Sequence, residues 1–173
     1  MKAGLHLRPV RDGDEDFLRR VYASCRAAEI ALAGWDAATA DAFLRMQFDA
    51  QQRHYRLHYP QARHDIVEYG GVAAGRLYVA REPGEIRVID IALLDAWRGQ
   101  GIGRSLLGGL LREAGARGQC VTLHVEEDNP ARALYRRLGF IQTGTHGPYL
   151  RMAWRAQAAA FTFQDTICND AAS

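Results

Sequence analysis

The run Ala96-Trp97-Arg98-Gly99-Gln100-Gly101-Ile102-Gly103-Arg104 sets three glycines at alternate positions, between an apolar strand-like segment and an amphipathic helix-like one. Such a run suits anion binding. Glycine lets the backbone approach a ligand closely and take up positive φ, and amides at a helix start point toward an anion that the helix dipole also favours. The stretch reads as a pyrophosphate cradle made by the backbone of Gly99, Gln100, Gly101, Ile102, Gly103 and Arg104. Arg98 and Arg104 add guanidiniums, whose forks can donate two bonds at once to a phosphate. Two other glycine motifs do not fit. A dinucleotide-binding GxGxxG beginning at Gly99 requires glycine where Arg104 stands, and the Gly-Lys-Ser/Thr ending of a P-loop is absent. A plain glycine turn between strand and helix is the alternative.

A second cluster of chemistry lies further on. Val121 to Val125 reads as a strand, and Asn129-Pro130-Ala131-Arg132-Ala133-Leu134-Tyr135-Arg136-Arg137-Leu138-Gly139-Phe140 follows it. The pattern RxxGxG from Arg98 to Gly103, then N…ALYxxLGF from Asn129 to Phe140, closely resembles the GNAT superfamily of acyl-CoA-dependent N-acetyltransferases. The match in order and spacing extends over residues 70–155. The resemblance implies the α/β GNAT fold, a mixed and mostly antiparallel sheet of about seven strands flanked by about four helices. It places acetyl-CoA in the splay between the fourth and fifth strands. The implied reaction moves an acetyl group directly to a primary amine of a small molecule or protein, with no covalent enzyme intermediate and no metal. An acyl-CoA-binding sensor or interaction module without transfer activity is the alternative from another class.

Roles for particular residues follow from the same resemblance. The backbone of Ala92, Leu93 and Leu94 would pair with the peptide-like pantetheine arm, as in strand addition. Asn129 would contact that arm, and an Asn-Pro pair at a helix start is also an ordinary cap. Tyr135 would protonate the departing thiolate, a plausible transfer because a free thiol has a pKa of about 8.5 and tyrosine about 10; core packing on an apolar helix stripe is its bland reading. For the base that deprotonates the substrate ammonium, three residues stay open. His124 matches the family's base position when counted from Asn129, whereas counting from Tyr135 moves the match to Leu123. Asp90 interrupts an apolar strand, where a carboxylate is either paired or useful. Glu126 is the third. Trp35, Tyr55 and Tyr59 lie where the superfamily builds its acceptor pocket, although core packing is the stronger reading for each, and His146 and Tyr149 stand where the pocket's other wall would be.

Composition agrees with this reading. The chain has 173 residues and a formal net charge of +2 with acids and bases interspersed, which gives no nucleic-acid footprint. Cys25, Cys120 and Cys168 have neither metal-ligand spacing nor an even count, as expected for a reduced, cytoplasmic protein. His54 and His58 stand at i, i+4 but lack an acidic third ligand. No apolar run reaches the roughly 18 residues of a membrane span.

The elements that must position these residues alternate along the chain. A strand is predicted over Leu5 to Val10, a helix from the acidic Asp12 to Asp16 segment to Gly34, and a second from Asp36 to Tyr59, ended by Pro60. His64 to Tyr69, Val72 to Arg81 and Glu85 to Leu94 read as a three-strand meander with turns at Gly70-Gly71 and Pro83-Gly84. Ile102, Leu106, Leu107, Leu110 and Leu111 mark one face of the helix after the cradle. Gly108 and Gly109 inside that helix suggest close approach to a strand or a ligand. Gly139 stands at a helix C-cap, and Phe140 to Thr145 with Tyr149 to Arg155 read as a closing hairpin. One domain is expected over residues 1–155. The tail, 156–173, is expected to be disordered or to place a strand through Phe161 to Phe163 against a second copy in a homodimer.

Overall fold

A computed structural model describes residues 3–156. The elements are β1 (Leu5–Pro9), α1 (Glu15–Ala33), α2 (Ala37–His58), β2 (Arg63–Tyr69), β3 (Val72–Glu82), β4 (Glu85–Leu93), α3 (Ile102–Arg117), β5 (Cys120–Glu126), α4 (Arg132–Arg137), β6 (Ile141–His146) and β7 (Tyr149–Arg155). Short 3-10 turns precede α1 at Asp12–Asp14 and follow β4 at Asp95–Trp97. The seven strands run in the order β1-β2-β3-β4-β5-β7-β6. β4 and β5 are parallel, while β1 with β2, β2 with β3, β5 with β7 and β6 with β7 are antiparallel. This is the mixed, mostly antiparallel sheet with four helices that the sequence predicts. The expectations for Cys168 and for the strand through Phe161 to Phe163 lie outside the described residues.

The residues group into two compact units, 3–80 with 90–103, and 81–89 with 104–156. In the first unit, the guanidinium of Arg8 on β1 donates to both carboxylate oxygens of Asp14 at 2.7 and 2.8 Å, and to Glu68 on β2 at 2.7 Å. Arg8 thereby ties the sheet edge to the start of α1, and it holds the Asp14 carboxyl down at about 2. Gly34 ends α1 in the left-handed region at φ 65°, where a side chain would be strained. Asp36 then caps α2 by accepting from the amides of Ala38 and Thr39, each at 3.0 Å. Phe17, Leu18, Val21 and Tyr22 of α1 and Phe48 of α2 pack with Ile66 and Ala92. Burial of side chains of this size contributes about 1.5–3 kcal/mol each, which fixes the helix pair over the strands that lead into the glycine loop.

In the second unit, β4 pairs in parallel with β5 from Glu85↔Cys120 to Val88↔Leu123. β5 pairs on its other side with β7, from Cys120↔Arg155 to Glu126↔Tyr149. The predicted stripe of α3 is buried at Leu106, Leu107, Leu110 and Leu111, and Arg81 joins Glu113 through two bonds of 2.8 and 2.9 Å. The suggestion of close strand approach at Gly108 and Gly109 is corrected: a β-carbon at Gly109 would meet nothing within 4 Å, and one at Gly108 only the Arg112 guanidinium at 3.5 Å. α4 is a single short helix that ends as its sequence predicts. Gly139 takes φ 91°, its amide donates to Arg136 and the Phe140 amide to Tyr135, the paired bonds of a Schellman motif. This tight stop fixes Tyr135 against Phe140, with ring centroids 5.9 Å apart.

Candidate functional site

The residues with predicted roles divide between the two units. The first unit holds Asp90, the end of β4 and the glycine loop. Gly99 and Gly101 take φ of 73° and 77°, and a β-carbon on either would meet nothing within 4 Å, so backbone conformation, not space, demands glycine there. Gly103 differs from the sequence expectation: it has no positive φ and lies in the first turn of α3, which starts at Ile102. Left-handed residues immediately before a helix start turn successive amides toward one side, the arrangement that receives a phosphate. The open space at both glycines fits a pyrophosphate lying against the backbone.

Arg98 is engaged by protein. Its Nε donates to the Leu93 carbonyl at 2.9 Å, its Nη2 to Ser24 at 3.2 Å, and its Nη1 lies 2.6 Å from Asp95. Ser24 in turn donates to Asp95 at 3.0 Å. Arg98 therefore fastens the loop to the end of β4 and to α1. Gln100 folds back, its side-chain nitrogen donating to the Ala96 carbonyl at 2.8 Å. Trp97 packs edge to face on Tyr69 at 5.7 Å.

Behind the end of β4 lies a close approach that the sequence reading missed. A β-carbon at Gly75 on β3 would stand 2.1 Å from the Ala92 carbonyl oxygen and 2.9 Å from the Leu93 α-carbon. The Leu94 amide donates to the Ala74 carbonyl at 2.9 Å in the same neighbourhood. A lone glycine inside the strand run Val72–Glu82 is the available signal. Asp90 is half-buried and ion-paired at 2.5 Å with the buried Arg76, which also donates to Gln51 at 3.0 Å. Burial pushes the Asp90 carboxyl above its ordinary range while Arg76 pulls it down.

The second unit holds Arg104, His124, Glu126, Asn129 and Tyr135. Arg104 is exposed in the first full turn of α3. On β5, Val121, Leu123 and Val125 are buried as the alternation predicts; on the other face Thr122 is buried, donating to Glu85, and His124 is exposed. His124 stands opposite Arg151 of β7, and Arg87, Arg151 and His146 lie in its surroundings with Glu85. Burial of part of the ring, followed by the charge of Arg87, lowers its pKa below the usual 6.5. The imidazole is thus neutral at physiological pH and able to accept a proton. Asn129 shapes the turn ahead of α4, its Oδ1 accepting from the Ala131 amide at 2.9 Å, while the N-cap position itself falls to Ala131. Its side-chain nitrogen is the part suited to a ligand carbonyl. Tyr135 is buried, 7 % exposed, on α4.

Of the aromatics predicted to line an acceptor pocket, Trp35 packs on Phe43 at 4.9 Å and Tyr55 on Tyr78 at 5.2 Å, while His54 and His58 stack on each other at 4.3 Å. His146 and Tyr149 face one another across the end of the β6–β7 hairpin.

The seven-stranded mixed sheet with a glycine-rich loop between β4 and α3 is the α/β architecture that the sequence resemblance implies. The chain belongs to the acetyltransferase (GNAT) family, whose model matches residues 26–140. It is 41 % identical over 100 residues to the N-alpha-acetyltransferase RimI of Mycobacterium tuberculosis, a match covering 56 % of this chain and 60 % of that protein. A second relative, an uncharacterized protein of Mycobacterium leprae, is 46 % identical over 68 residues, 39 % of this chain and 18 % of its own length. The chain therefore spans less than two thirds of either relative. Among solved structures, the PaiA N-acetyltransferase of Thermoplasma acidophilum in complex with coenzyme A shares the fold with a TM-score of 0.66 at 14 % identity, over 88 % of this chain and 99 % of that one. The ribosomal-protein-S18-alanine N-acetyltransferase of Escherichia coli does so with a TM-score of 0.61 at 18 % identity, over 93 % and 99 %.

Proposed function

We propose that this chain transfers an acetyl group from acetyl-CoA directly to a primary amine, and that the acceptor is the α-amino group of a protein or peptide. The observation that carries the transfer reading is the left-handed pair Gly99 and Gly101 at the start of α3 in a member of this family. The similarity to a RimI N-alpha-acetyltransferase favours an α-amine over a small-molecule amine.

In this reading the amides from Gly99 to Gly103 and the Arg104 guanidinium receive the pyrophosphate. The backbone of Ala92, Leu93 and Leu94 pairs with the pantetheine amides, joined by the Asn129 side-chain nitrogen. Arg98 acts by holding the loop, because its guanidinium is already bonded to Leu93, Asp95 and Ser24. His124 takes the proton from the substrate ammonium, freeing the nitrogen lone pair to attack the thioester carbonyl. As the carbon–sulfur bond breaks, Tyr135 gives its hydroxyl proton to the departing sulfur, and the second proton that the nitrogen sheds on becoming an amide passes through solvent to the tyrosine oxygen. Asp90 serves as the counter-ion that keeps Arg76 buried beside Tyr22. The setting is cytoplasmic, supported by Cys25 and Cys120 as free thiols. No helix among the described residues is long and apolar enough to cross a membrane. A homodimer involving the C-terminal tail belongs to the same proposal.

The test is calorimetric titration with acetyl-CoA and with CoA, followed by thiol release with unblocked peptides, their N-terminally blocked counterparts, free lysine and a polyamine. Binding of both nucleotides and release only with unblocked peptides is expected. Failure of both to bind overturns the cradle, and release with polyamine or lysine alone overturns the α-amine acceptor.

A further inference from the structure

The first unit contains a cavity that none of the roles above uses. It measures about 760 Å³ and opens between the first turn of α1, the C-terminal half of α2 and the His64↔Tyr78 pair of β2 and β3. Small-molecule sites commonly occupy about 300–1,000 Å³. Its lining includes no residue of the cradle, of the end of β4 or of the proposed proton-transfer pair. Tyr78 lies three positions along β3 from Gly75, about 10 Å from the Ala92 contact at the usual strand rise.

The walls separate into an apolar floor and a charged rim on which three guanidiniums, of Arg11, Arg53 and Arg56, stand with three carboxylates. Leu18, Phe48 and Tyr78 are buried, and the His64 ring tilts against Tyr78 at 4.7 Å. Two of the lining carboxylates are already engaged from outside the cavity: Arg19 contacts Glu15 at 2.6 Å and Asp49 at 3.8 Å. The third, Asp12, lies in the 3-10 turn before α1, on the wall opposite Arg53 and Arg56 of α2. Arg53 and Arg56 also line the cavity, and among the described residues no carboxylate pairs with either. The side-chain nitrogen of Gln52, on the same wall, is buried without an acceptor. An apolar floor beside two uncompensated guanidiniums and an unused amide donor matches a molecule with an apolar body and an oxyanion at one end.

We propose that this cavity is a second ligand site that binds a small organic anion, a carboxylate or a phosphate monoester on an aromatic or aliphatic body. Arg53, Arg56 and the Gln52 amide hold the oxyanion; Phe48, Leu18 and Tyr78 hold the body. The site stands apart from the transfer reading and does not depend on it.

The experiment is a titration of the isotope-labelled full chain with benzoate, with phenyl phosphate and with benzylamine, followed by amide chemical shifts. At least one anion is expected to give saturable shifts at Gln52, Arg53 and His64 that leave Gly99 and Gly101 unmoved. The tighter of the two anions identifies the oxyanion. The double substitution Arg53→Gln with Arg56→Gln is expected to weaken that binding tenfold or more while leaving the melting temperature and acetyl-CoA affinity unchanged. Absence of shifts with both anions, equal affinity in the double variant, or tighter binding of benzylamine overturns the site. Loss of acetyl-CoA binding in the unsubstituted chain bears only on the transfer reading.

Discussion

Gly75 on β3 faces the carbonyl oxygen of Ala92 on β4 so closely that a β-carbon at position 75 would lie 2.1 Å away. The obstructing atoms are backbone, which cannot rotate aside. Gly75→Ala is therefore expected to destabilise the fold by about 3 kcal/mol, or to displace the end of β4 and weaken acetyl-CoA binding in the molecules that remain folded. Thermal unfolding with a parallel nucleotide titration checks this, and a variant normal in both would show that the two strands tolerate separation.

Gly109 provides the opposite case. It is helical, and nothing lies within 4 Å of where its β-carbon would sit. Gly109→Ala should stabilise the chain by about 0.5–1 kcal/mol through helix propensity and a less flexible unfolded state, read as a rise in denaturant midpoint at unchanged slope.

At Gly101 the demand is conformational, with φ 77° and open space around it. Alanine there costs about 1–2 kcal/mol of backbone strain or abandons the left-handed conformation. Asparagine tolerates that conformation better. Acetyl-CoA affinity should fall tenfold or more in Gly101→Ala and less in Gly101→Asn; the reverse order would indicate that side-chain bulk, not amide orientation, governs the loop.

Tyr135→Phe keeps the ring that packs on Phe140 and removes only the hydroxyl. Turnover should drop by about a hundredfold or more, with acetyl-CoA affinity unchanged. His124→Gln should shift the acid limb of the rate profile. With neutral His124 as base that limb lies below the usual histidine value of 6.5, because the folded protein lowers its pKa; without it, the limb moves up toward the pKa of the substrate amine.

His64 makes stability pH-dependent. Burial, with the charges of Arg76 and Arg56, lowers its pKa from 6.5 to about 4. Above the unfolded value the ring is neutral in both states, so this contribution is fully present there. As pH falls from 6.5 toward 4 the unfolded chain takes up a proton that the folded one refuses, and stability declines by about 2 kcal/mol after allowance for partial exposure. His64→Gln should flatten the urea midpoint between those two pH values, and an unchanged slope would place the pH sensitivity elsewhere.

Local chemistry was enough to make much of this molecule legible before folding. Gly34 and Asp36 announced the break between α1 and α2, the stripe from Leu106 to Leu111 announced α3, and Gly139 announced the stop after Tyr135; each acts through backbone dihedrals and periodicity that a linear reading contains. The glycine loop was readable for the same reason, since positive φ at Gly99 and Gly101 is a property of the residue type. Side-chain partners across the fold were not. That Arg98 is bonded to Leu93 and Ser24, that Asp90 is paired with Arg76, and that His124 stands opposite Arg151 depend on strand register and helix docking, which bring together residues remote in sequence. The tightness at Gly75 and the approach of Arg19 to Glu15 and Asp49 belong to the same class: burial and proximity are set by tertiary packing, and no single residue type encodes them.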